Sequence, residues 1–177
     1  QWLNGENIYP IYMEIGPVGR CNHRCIFCAF DYLKYAGPSI DTDALKRALS
    51  DAAQHGVKSV MYAGEGEPLV HKDIAELITF TKSLGIDVAT TTNGVLFDKD
   101  MASQCLGSLS WIRVSFNAGT KETYVKVHRC NPDDFDRVVA NLTQAVEFKA
   151  RHGYACTIGV QILLLPQNQH EVPTLAA

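Results

Sequence analysis

The sequence predicts an α/β fold on a parallel sheet, and three observations carry that prediction. Short β-branched runs alternate with helical apolar patterns five times along the chain. Single glycines, Gly56, Gly85 and Gly153, stop three of the helical patterns just ahead of a strand run. The chemically distinctive residues all follow strands: three clustered cysteines, a Gly-Glu-Gly-Glu-Pro turn, Thr92-Asn93-Gly94, Asn117 and Gln167-Asn168. Strand–helix alternation implies right-handed crossovers and a parallel sheet. Such sheets place their sites at the C-terminal edge of the strands. Five units are too few for an eight-stranded barrel.

Ile8 to Gly16 is β-branched and aromatic and reads as the first strand, leading into the cysteines. Asp41-Thr42-Asp43 starts a helix with Leu45, Ala48, Leu49, Ala52 and Ala53 on one face. Lys58 to Ala63 is the second strand and runs into Gly64-Glu65-Gly66-Glu67-Pro68. A helix with Ile74, Leu77, Ile78 and Leu84 follows, then a third strand over Ile86 to Thr91. A short helix spans about Asp98 to Leu106, and Trp111 to Phe116 is the fourth strand. A short helical piece carries Tyr124, Val127 and Arg129. Asn131-Pro132-Asp133-Asp134 reads as N-cap, proline at the first helical position and acids in the first turn. That helix carries Phe135, Val138, Val139, Leu142 and Val146. Cys156 to Leu165 is the fifth strand, and a further helix starts near Glu171.

The 177 residues fit one domain with a substantial core. A net charge of −3 argues against an electrostatic nucleic-acid binder, which would need a basic stripe. The longest apolar run, Ile162 to Leu165, stops at Pro166, far short of a membrane span. No signal peptide is visible, and clustered free cysteines fit a reducing cytoplasm. The chain starts at Gln1 and stops after Ala177, and the expectation is a single core domain over 1–177, truncated at its C-terminus.

Cys21, Cys25 and Cys28 are spaced C-x3-C-x2-C. A disulfide would strand the third, and tight loops rarely reach disulfide geometry. Thiolates suit zinc or iron–sulfur clusters. A structural zinc module would want four ligands, and no second C-x2-C follows; Cys105, Cys130 and Cys156 are scattered singly. His23, inside the loop, reads as a solvated histidine, with a metal-ligand role as the alternative. Three ligands on a four-iron cluster leave one iron open, the arrangement of a catalytic site.

The spacing C-x3-C-x2-C, with aromatic Phe27 before the last cysteine, resembles the signature of the radical SAM superfamily. The resemblance implies a partial (β/α)6 TIM-like barrel, with about five βα units present here and a sixth strand outside the chain. It implies a [4Fe–4S] cluster on Cys21, Cys25 and Cys28 and S-adenosyl-L-methionine at its open iron. Gly64, Gly66, Glu67 and Pro68 resemble the family's cofactor-binding turn after strand two, although Glu65 stands where the motif has its first glycine. Ser115 and Asn117 resemble the strand-four residues that bind ribose and the methionine carboxylate, a turn residue before Gly119 being the other reading of Asn117. Arg129 is similar to arginines that pair with that carboxylate, a solvated surface arginine being the other reading. Phe27, with Ile162 and Leu163, would pack the adenine, the alternative for the last two being barrel core. Asn93, with Thr91 and Thr92, would lie at the mouth. The implied activity is reductive cleavage of S-adenosyl-L-methionine to a 5′-deoxyadenosyl radical that abstracts hydrogen. The expected partners are an electron donor such as flavodoxin or ferredoxin and a peptide or protein substrate, a small-molecule precursor being the alternative. A non-catalytic electron carrier is the competing class, and it would not need the turn after strand two. No single catalytic side chain stands out.

Overall fold

The computed structural model of the chain describes residues 2–5 and 7–176; Gln1 and Ala177, the limits of the expected domain, lie outside the described residues. Five strands form one sheet: β1 (Tyr12–Ile15), β2 (Ser59–Tyr62), β3 (Asp87–Thr92), β4 (Leu109–Ser115) and β5 (Thr157–Gln161). All neighbours are parallel and the order is β1-β2-β3-β4-β5. Each strand is therefore laid beside its predecessor with no reversal of direction. Right-handed crossovers then keep the helices on one face and leave the other face concave, as in a barrel segment.

The helices are α1 (Ala29–Tyr32), α2 (Thr42–Gln54), α3 (Ile74–Ser83), α4 (Lys99–Cys105), α5 (Lys121–His128), α6 (Asp134–His152) and α7 (Val172–Ala176). Alternation along each strand sorts the side chains. Val60, Tyr62, Val88 and Ile112 join Leu45 and Leu49 of α2 and Ile74, Leu77 and Ile78 of α3 in the main core. Each such side chain contributes about 1.5–3 kcal/mol by leaving water. The opposite face carries Met61, Ala63 and Ala89, with Trp111 packed against them. A third cluster, Val95, Val114, Phe116, Tyr124 and Val138, joins β4 to α5 and α6.

Four elements differ from the sequence reading. The first strand begins at Tyr12 rather than Ile8, because its partner β2 offers only Ser59 to Tyr62 for pairing. Ile8, Tyr9 and Ile11 are exposed. The fifth strand ends at Gln161 rather than Leu165, because side-chain amides take over its donors. Leu163 N–H donates to Asn117 Oδ1 at 2.7 Å, and Leu165 N–H donates to Asn168 Oδ1 at 2.7 Å. The N-cap of α6 is Asp133, not Asn131, but Asn131 Oδ1 accepts from Asp133 N–H at 2.9 Å and turns the chain into the helix. The short α1, unforeseen in the sequence, begins directly after Cys28, whose sulfur accepts from Asp31 N–H at 3.4 Å.

Candidate functional site

The β1–α1 loop carries the three cysteines and lies across the C-terminal ends of the strands. Backbone bonds fix its position. Arg24 N–H donates to His128 O at 3.0 Å, and Ile26 N–H donates to Val127 O at 2.9 Å, docking the loop on the end of α5. Glu67 N–H donates to Arg20 O at 2.9 Å, tying the turn after β2 to the approach of the loop. Asn93 Nδ2 donates to Asn22 Oδ1 at 2.6 Å, adding β3.

Between these elements is a cleft of about 160 Å³, lined by Cys21, Cys25 and Cys28 together with Phe27, Gly64, Gly66, Glu67, Asn93 and Ser115. Thr91 and Thr92 also reach it. Thus nine residues named from the sequence as cluster or cofactor contacts share one cavity. Pro68, Asn117 and Arg129 stand outside its lining. Pro68 is buried at the start of a short 3-10 turn. Asn117, with φ 58°, turns its side chain to Leu163 and its carbonyl to Asn168. Arg129 is exposed at the left-handed C-cap of α5. Ile162 is half-buried and Leu163 is exposed, so neither is core.

The turn after β2 shows why glycine stands at two of its positions. Gly64 has φ +114°, a conformation that L side chains rarely adopt. A Cβ on Gly66 would collide with the carbonyl oxygens of Val18 and Arg20. Glu67 locks the turn from beneath, fully buried. Its carboxylate accepts from Thr92 Oγ1 at 2.5 Å, Asn93 N–H at 2.7 Å and Leu69 N–H at 3.1 Å. Burial raises the Glu67 pKa, and those three donors work against the rise.

The sulfurs are poised for a cation. Burial pushes the Cys25 thiol up to about 12, with Cys21 and Cys28 adding to the rise. Burial likewise raises Cys21. Thiols held neutral by burial, as Cys21 and Cys25 are, sit in the environment that a polycationic group reverses. The soft donor set, the open flank and the close backbone approach at Gly66 fit a cubane cluster held by three cysteines. Cys105 and Cys156 are buried in the main core, away from the loop.

His23 overturns one expectation. It is not solvated: only 2% of it is exposed, and Nε2 lies 3.2 Å from Asp134 Oδ2 at the start of α6. His128, unmarked in the sequence, proves to be part of the site. Its Nε2–H donates to the Phe116 carbonyl at 3.0 Å, which leaves Nδ1 to accept from the Cys25 thiol at 3.1 Å. Burial lowers the His128 pKa to about 4. The only sequence signal was its place one turn after Tyr124, on the buried face of α5.

Comparison with known proteins agrees with this geometry. The Radical SAM superfamily model matches residues 15–177. A probable GTP 3′,8-cyclase of Methanothermobacter thermautotrophicus is 30% identical over 161 residues, covering 90% of this chain and 50% of the relative. One from Saccharolobus islandicus is 33% identical over 129 residues, 72% of this chain and 41% of the relative. The chain therefore spans half or less of the length of these relatives. The crystal structure of Streptococcus suis SuiB bound to precursor peptide SuiA superposes with a TM-score of 0.78 over 99% of this chain and 38% of that one, at 24% identity. With a match over nearly its whole length, the chain belongs to the radical SAM superfamily, whose enzymes use a [4Fe–4S] cluster and S-adenosyl-L-methionine.

Proposed function

We propose that this chain is the catalytic core of an enzyme that abstracts hydrogen from its substrate, with Cys21, Cys25 and Cys28 holding the cluster and S-adenosyl-L-methionine lying in the adjacent cleft. The observation that carries this reading is the convergence of the three cysteines, the Gly64–Glu67 turn and Ser115 on one cavity at the strand ends. When bound, the pair supplies a 5′-deoxyadenosyl radical; the electron comes from a donor such as flavodoxin or ferredoxin. The chain's own residues orient and shield. Gly64 and Gly66 let backbone carbonyls reach the amino group of the methionine moiety. Asn93 and Ser115 offer polar contacts at the cavity wall, and Phe27 offers a ring face. Asn117 and Arg129 stand outside the cleft lining and carry no cofactor contact in this reading. Glu67 keeps the turn in place through β3.

The substrate approaches from the concave face. A laterally open sheet admits a peptide, which is the first reading. A small molecule is the second, and its specific support is the 30–33% identity to proteins named GTP 3′,8-cyclase. The test is to incubate the reduced, reconstituted enzyme with deuterated candidates of both classes. The reading expects deuterium in 5′-deoxyadenosine from one class alone. Transfer from peptides only selects the first, and transfer from nucleotides only selects the second. Absence of any cofactor cleavage in a protein carrying a full cluster refutes the catalytic reading.

A further inference from the structure

A second set of donors lies beside the cysteine loop. Among the described residues, His23, Cys130 and Asp134 bring an imidazole nitrogen, a sulfur and a carboxylate oxygen within 4.8 Å of one another. They come from three elements: His23 from the cysteine loop, Cys130 from the α5–α6 turn and Asp134 from the first turn of α6. The His23 side chain has no exposed surface and that of Asp134 only 7%. Cys130 is half-buried. His23 Nε2 and Asp134 Oδ2 are 3.2 Å apart. In a tetrahedral zinc site, bonds of about 2.0–2.3 Å set neighbouring donors roughly 3.3–3.8 Å apart. The histidine–carboxylate edge already has about that length, and the sulfur needs to move by about 1 Å at most to complete the face.

The charges agree. One thiolate, one carboxylate and one neutral imidazole balance a divalent cation, and borderline-soft zinc suits that mixture. Arg137 Nη1 donates to Asp134 Oδ1 at 3.1 Å, which holds the carboxylate in place and leaves Oδ2 to face the other donors. The site adjoins the cleft and shares His23 with its lining, whereas Cys130 and Asp134 lie outside that lining.

We propose that His23, Cys130 and Asp134 bind a zinc-class divalent cation that clamps the cysteine loop to the α5–α6 corner. The clamp joins residues 111 positions apart in sequence. Three protein donors leave the fourth tetrahedral position to water, so the ion ties the loop down without a closed protein shell, and the clamp does not depend on the catalytic reading above.

The probe is Co²⁺, added anaerobically to the chain carrying Cys21→Ala, Cys25→Ala and Cys28→Ala, so that the cleft sulfurs cannot take it. The clamp predicts one equivalent bound, with the visible bands of a four-coordinate ion and a sulfur-to-cobalt charge-transfer band. Adding Cys130→Ser removes the charge-transfer band, and adding Asp134→Asn weakens binding at least tenfold. No four-coordinate spectrum in a triple variant with native circular dichroism overturns the proposal, as does a charge-transfer band that survives Cys130→Ser. Metal analysis of the iron-loaded wild-type chain answers the same question whatever the triple variant's folding. One zinc per chain, lost in Cys130→Ser, supports the clamp; absence of zinc, or zinc untouched by Cys130→Ser, overturns it.

Discussion

Cysteine position, rather than cysteine content, decides which of the six can serve a cluster. Cys21, Cys25 and Cys28 share a cleft, whereas Cys105 and Cys156 fill the core. We predict that Cys25→Ala abolishes the visible absorption and the iron content of the reconstituted protein. Cys105→Ala should keep both while losing about 1–2 kcal/mol of stability to a small cavity. Full iron content in Cys25→Ala would overturn the assignment. The cysteines were legible because their spacing is local. His23 was not, because its burial depends on Asp134, far along the chain, and a loop has no periodicity to betray a buried face. Asn117 shows the same limit. Its residue type suited both a ligand contact and a turn, and in the structure its amide oxygen caps the end of β5.

Among the elements, the strands and long helices followed from periodicity, and their ends did not. A strand ends where its neighbour stops pairing, which is a property of two segments. β5 stops at Gln161, opposite the last residue of β4, Ser115, and the Asn117 and Asn168 amides take the donors beyond it. Glu171 illustrates how one side chain joins two elements. Its carboxylate accepts from Gly119 N–H at 2.7 Å, Thr120 N–H at 3.2 Å, Thr120 Oγ1 at 2.7 Å and Thr123 Oγ1 at 2.6 Å, pulling the start of α7 onto the start of α5. The anion also meets the positive end of α5. Burial pushes its pKa up, but the donors from Thr123, Thr120 and Gly119 outweigh it and hold the carboxyl below its ordinary value. A lowered folded pKa means that this stabilisation is complete above about pH 4.3, the unfolded value, and fades as the pH falls through the folded one. We predict that Glu171→Ala costs about 3 kcal/mol at neutral pH, from the loss of several charge-assisted bonds. The difference from wild type in denaturant midpoint should shrink on acidification below about pH 4. A constant difference across that range would show that the carboxylate charge is not what holds α7.

For the whole molecule, the unreversed strand order has a chemical consequence: one face of the sheet is left for a ligand. Residues paired in register share a face, so Glu14, Met61, Ala89 and Trp111 lie together, as do Thr91, Arg113 and Gly159 in the next layer. Alternation along each strand puts both layers on the concave side, below Ser115 and the cleft. No helix among the described residues is long and apolar enough to cross a membrane. Arg113 is a cation on the concave face. Its guanidinium lies 5.6 Å from the Trp111 ring and donates to Thr91 Oγ1 at 3.2 Å, so among the described residues it is held by these two neighbours. An arginine so placed is free to meet an anionic group on a substrate entering from that side. We predict that Arg113→Ala leaves iron content and S-adenosyl-L-methionine binding unchanged, because the cleft lining does not include it. Hydrogen abstraction should fall at least tenfold in kcat/KM, mainly through KM, the loss of about 1.4 kcal/mol or more of binding. Slow cleavage of the cofactor without substrate should continue at the wild-type rate. An equal fall of coupled and uncoupled cleavage would mean that Arg113 acts on the cofactor, and that the concave face is not where the substrate's charge is read.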